Sequence, residues 1–133
     1  MPNVLRPAIV LVSLFLASCS ENIETAYVDF NHAKEDRAIE RNILPVWFPP
    51  ESSKIFETHN LDTGLVSIVF ELDSARSYFD DLPFCEKAIE PEPPIIRLKQ
   101  FPSTWKENEN VLACENYYVA VDQTNVFMWS NGD

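Results

Sequence analysis

Two stretches of the chain alternate between apolar and polar residues at every second position, and this constrains the fold more than any other feature. Residues 65–72 (LVSIVFEL) place Val66, Ile68, Phe70 and Leu72 on one side. The other side carries Ser67 and Glu71 together with Leu65 and Val69, so it is partly covered as well. Residues 111–121 (VLACENYYVAV) alternate in the same way. A period of two belongs to strands, so the chain builds a sheet. Residues 54–60 (KIFETHN) precede the first stretch, and Asn60-Leu61-Asp62-Thr63-Gly64 is a turn signal between them, with Gly64 at a positive φ. Residues 126–130 (VFMWS) return after the second stretch through Asp122 to Asn125. The expectation is two hairpins.

Helical spacing appears twice. From a cap at Asp73 or Ser74, Ala75, Tyr78, Phe79 and Leu82 fall at i, i+3, i+4 and i+7, and Pro83 ends the segment. Residues 33–44 (AKEDRAIERNIL) form a weaker stripe of Ala38, Ile39 and Ile43, with Glu35 and Asp36 in the first turn and Pro45 as the stop. The expected fold is α+β: a small antiparallel sheet of two hairpins with one or two helices packed on one face. Residues 85–90 extend the helical part by a turn. Residues 91–94 (PEPP) and 100–110 read as loops.

The N-terminus sets a location. Arg6 is the only charge among residues 1–18, an apolar run extends from Ala8 to Leu16 broken by Ser13, and small residues follow. This is the pattern of an export signal, and the run is too short to span a bilayer, which takes about 20 residues. Its end, Leu16-Ala17-Ser18-Cys19, resembles the lipobox of bacterial lipoproteins. The resemblance implies cleavage before Cys19, acyl chains on that residue and stable anchoring. Ser20, next to the anchor, favours the outer membrane by analogy with enterobacterial sorting, with the domain facing the periplasm. The expected layout is a signal over 1–18, a tether over 19–32 and one domain over 33–133.

Lipidation of Cys19 leaves Cys85 and Cys114 of the three cysteines. In an oxidising periplasm these two pair as a disulfide, the alternative being two buried thiols. Neither has a second Cys or His at metal-ligand spacing, so no metal or other cofactor is expected. Loss of Arg6 with the signal moves the net charge from −11 to −12. That acidic balance argues against nucleic acid, whose phosphates need clusters of Lys and Arg.

The motifs that carry chemistry all have plainer readings. Asp62-Thr63-Gly64 is the triplet of aspartic proteases, but Leu65 follows it, and with two glycines in the chain the triplet reads as a turn. His32 and His59 are the only histidines, and no Ser sits in a nucleophile elbow. Both histidines read as solvated or hydrogen-bonded surface residues. Acids gather at Glu35-Asp36, Asp80-Asp81, Glu86, Glu90 and Glu92, which read as a solvated surface, with the steering of a basic partner as the functional alternative. Trp47, Phe48, Trp105 and Trp129 read as core, with a binding groove as their alternative use. Residues 44–72, with Leu44-Pro45-Val46-Trp47-Phe48-Pro49-Pro50, Ile55, Asp62-Thr63 and Phe70, resemble a segment of small uncharacterised bacterial lipoproteins. That resemblance implies a shared local fold and no activity. The functional expectation is a lipid-anchored, non-catalytic protein-binding module. Its alternatives are an inhibitor or immunity-type protein that neutralises a basic envelope enzyme or toxin, and a small hydrolase.

Overall fold

The computed structural model describes residues 21–96, 98–100 and 110–131. The export signal, Cys19 and Trp105 lie outside these. Seven strands form one antiparallel sheet: β1 (Asn22–Asp29), β2 (Ser53–Asn60), β3 (Val66–Glu71), β4 (Cys85–Lys87), β5 (Leu112–Cys114), β6 (Tyr117–Asp122) and β7 (Asn125–Ser130). Their order across the sheet is β1-β2-β3-β7-β6-β5-β4. Two six-residue helices complete the regular structure, α1 (Phe30–Glu35) and α2 (Ala75–Asp80). The expected α+β class is therefore overturned: the described part is predominantly β, with a sheet of seven strands where two hairpins were expected and little helix.

The hairpin of β2 and β3 has the expected faces. Val66, Ile68, Phe70 and Leu72 enter one core together with Ile55 and Tyr27. Val69 enters a second core on the opposite face with Phe127, Trp129 and Leu98. Both faces are thus covered, which explains why the "polar" side of β3 carries Val69. Ala33, Ala75, Phe79 and Phe48 close the first face. The stretch from Ala88 to Leu98 crosses the second, fixed by Ser67 Oγ to the Ile96 carbonyl at 2.5 Å and by the Trp129 indole N–H to the Glu92 carbonyl at 2.9 Å.

Three local departures share one cause. The expected tether over 19–32 is strand β1 over residues 22–29, paired along β2 from Asn22↔Asn60 to Asp29↔Ser53. Asp29 caps α1 by accepting the His32 N–H at 2.9 Å. The expected helix over 33–44 is cut to α1, because Arg37 and Asn42 take φ values of 60° and 58°. At each, two reversed hydrogen bonds close the turn: Ala38 N–H to Ala33 O with Arg37 N–H to Lys34 O, then Ile43 N–H to Ala38 O with Asn42 N–H to Ile39 O. These are successive Schellman closures, and they place Ala33, Ala38 and Ile43 in the core at intervals of five. Glu35 and Asp36 consequently end the helix rather than begin it. The expected strand 111–121 is likewise two strands, because Glu115 at φ 53° begins a two-residue turn that sets Cys114 opposite Tyr117. Residues 85–87, expected as helix, are β4.

The disulfide Cys85–Cys114 forms between directly paired residues of β4 and β5. It closes the chain segment that covers the second face. No helix among the described residues is long and apolar enough to cross a membrane.

Candidate functional site

The strand register gathers two turns and two strand ends at one end of the sheet. Asn60 faces Asn22, Val66 N–H donates to Ser130 Oγ at 2.8 Å, and Tyr117 faces Ser130. This end therefore holds the start of β1, the Asn60–Gly64 turn, the Glu115–Asn116 turn and the end of β7. Asn60 Oδ1 organises the first turn by accepting the N–H groups of Asp62 and Thr63 at 3.0 and 2.9 Å. Gly64 has φ +69°, as expected for this position.

Between these turns and the Pro45–Pro50 segment lies a groove of about 490 Å³. That segment is two consecutive turns, closed by Phe48 N–H to the Pro45 carbonyl at 3.0 Å and Ser52 N–H to the Pro49 carbonyl at 3.2 Å. Phe48 tilts onto Phe70 with ring centres 4.6 Å apart, and the Tyr78 hydroxyl holds the Trp47 carbonyl at 2.6 Å. Trp47 is thereby fixed as one wall, edge-on to Tyr117 at 5.8 Å and 5.4 Å from Phe84. Its indole N–H donates to Glu115 Oε2 at 2.9 Å. Leu44, Val46 and Leu65 add apolar lining. Glu115 is the only charged side chain among the described lining residues. Burial raises the Tyr117 phenol above its ordinary range, so it stays neutral and works as a hydroxyl. An aromatic wall beside one carboxylate suits an apolar or cationic side chain of a partner.

The aromatic residues singled out in the sequence divide. Phe48 and Trp129 are buried core residues. Trp47 does both jobs, packing on Phe79 and lining the groove.

The histidines do not meet. His32 sits on α1, where its Nδ1 accepts the Val28 N–H of the edge strand at 3.2 Å. His59 is hydrogen-bonded, as one of its two readings had it, but more buried than a surface residue. Its side chain is 15% exposed and its Nδ1 lies 2.9 Å from Oε2 of Glu57, whose side chain has no exposed area. Both project from the same face of β2 because they are two residues apart. The carboxylate orients the imidazole, and the side-chain hydrogen bonds of His59 among the described residues go to Glu57 alone. Asp62 of the protease-like triplet is exposed in the turn, and its backbone N–H serves that turn.

The acidic clusters are partly tied up. Asp36 accepts the Tyr27 hydroxyl at 2.6 Å and pairs with Arg41 at 3.0 Å, and Asp80 pairs with Arg76 at 3.3 Å. No group of three or more His, Cys, Asp or Glu able to hold a metal occurs among the described residues.

Residues 21–71 match the family model of the YbbD head domain, a small bacterial family. The match begins at the start of β1 and ends with β3, so it contains the segment expected as a tether. It supplies the Trp47 wall of the groove but not Glu115 or Tyr117. No curated protein and no solved structure matches the chain.

Proposed function

We propose that this chain is a lipoprotein of the bacterial envelope, anchored through acyl chains on Cys19 in the outer membrane, whose domain binds another protein without catalysis. The groove carries this reading. It offers a fixed aromatic wall and one carboxylate, Glu115, on a protein of net charge −11. Such a site recognises a basic side chain presented on an extended or looped segment, and the overall charge steers a basic partner toward it. Inhibition of a basic envelope enzyme is a narrower form of the same reading, and the sign of Glu115 agrees with it.

Two measurements test the proposal. Palmitate labelling is expected in the natural chain and absent in Cys19→Ala; labelling that persists in the variant refutes the anchor. Crosslinking in intact envelopes is expected to join the protein to one basic partner, and Glu115→Lys is expected to abolish that product while leaving the anchor intact. A product unchanged in Glu115→Lys removes the groove from the account.

A further inference from the structure

We infer that the end of the sheet carrying the Asn60–Gly64 turn faces the lipid surface, with Leu61 at headgroup height. The inference rests on the proposed anchor at Cys19. With the anchor there, Asn22, the first residue of β1, lies three chain positions beyond the acylated residue. Three extended residues reach about 10 Å at most. The domain therefore has almost no tether, in contrast to the fourteen-residue linker that positions 19–32 suggested.

The short reach sets an orientation as well as a distance. Leu61 N–H donates to the Glu21 carbonyl at 3.1 Å, so the turn is bonded to the chain two residues from the anchor. The opposite end, with the Gln123–Thr124 turn beside Leu72, lies the length of a six-residue strand away, about 20 Å. Three of the seven exposed large apolar side chains among the described residues lie at the near end: Leu61 at 63% exposed, Ile23 at 42% and Val46, on the groove wall, at 84%. Glu21 and Asp62 flank them. Their charge resists entry into the hydrocarbon, so contact stops at the headgroups. The groove, lined in part by Thr63 and Gly64, opens at the same height, and the partner segment it takes is membrane-proximal.

The test uses the full acylated protein in nanodiscs of phosphatidylcholine doped with a headgroup spin-labelled lipid. Paramagnetic broadening falls steeply with distance. The amide signals of Leu61 to Gly64 are expected to broaden severalfold more than those of Gln123 and Thr124. Equal broadening at the two ends, or stronger broadening at Gln123 and Thr124, overturns the orientation. Failure of the protein to associate with the discs overturns the anchor itself, and the orientation with it.

Discussion

Removing the imidazole of His59 should destabilise the domain out of proportion to the atoms lost. Glu57 projects from β2 among Ile55, Ile68 and Tyr27, and its side chain has no exposed area. His59 Nδ1, at 2.9 and 3.2 Å from its two oxygens, is the hydrogen-bonding partner of that carboxylate among the described residues. In His59→Ala the buried Glu57 oxygens lose that partner. Leaving a buried hydrogen-bonding group unsatisfied in this way costs about 1–3 kcal/mol. Against a total stability of roughly 5–15 kcal/mol for a domain, that is a large fraction. With a urea slope of about 1–3 kcal/mol per molar, the unfolding midpoint should drop by roughly 1 M. Replacing both members, as in Glu57→Met with His59→Leu, removes the stranded polar group and should recover most of the loss. The assay is equilibrium urea unfolding of the non-acylated Cys19→Ser protein at neutral pH. A loss below about 1 kcal/mol for His59→Ala, or a double variant no better than the single one, would refute the reasoning.

Further expectations follow from other contacts. Reduction, or Cys85→Ala with Cys114→Ala, should lower stability by about 3–4 kcal/mol through the loop of nearly thirty residues that the bond closes, read by urea unfolding; a free-thiol assay on the unreduced protein should find neither thiol. Tyr27 is held protonated by burial first, then by its hydrogen bond to Asp36 and the nearby carboxylates of Asp36 and Glu57. The unfolded phenol ionises near pH 10 while the folded one keeps its proton, so this contribution is complete below pH 10 and declines as pH rises beyond it, by about 1.4 kcal/mol per pH unit. Tyr27→Phe should flatten that alkaline decline and lower stability at neutral pH by about 1–2 kcal/mol, and an unchanged alkaline slope would count against it. Gly64→Ala should cost about 1 kcal/mol from its φ of +69° alone, since nothing lies within 4 Å of the added methyl group.

The sequence reveals the β2–β3 hairpin because alternation and turn chemistry agree there. Val66 to Leu72 keep a strict period, and Asn60 with Gly64 supplies the turn that joins the strands. Elsewhere the turns are built from residues that do not advertise them. Arg37, Asn42, Glu115 and Gln123 all adopt positive φ without being glycine. A helix pattern therefore runs unmarked through Arg37, and a strand pattern runs unmarked through Glu115. Strand β1 is hard to see for a different reason. It is an edge strand, exposed at Asn22, Ile23, Glu24, Ala26 and Val28, so burial imprints little period on it. The groove combines Trp47 with Glu115 and Tyr117, nearly seventy positions apart, a meeting that only the crossing of the chain from β3 to the far edge and back creates. The Glu57–His59 pair does leave a local signal, an acid and a histidine two apart on a strand. It is readable once the inward face of β2 is fixed by Ile55.

The most direct test of the binding account is crosslinking in intact envelopes with a photoreactive residue in place of Val46, on the exposed rim of the groove. The account predicts one discrete adduct with a basic envelope protein, lost when Glu115→Lys is added to the same chain. An adduct of equal yield in the presence of Glu115→Lys, or no adduct from the correctly anchored protein, would contradict the claim that this groove is where the protein acts.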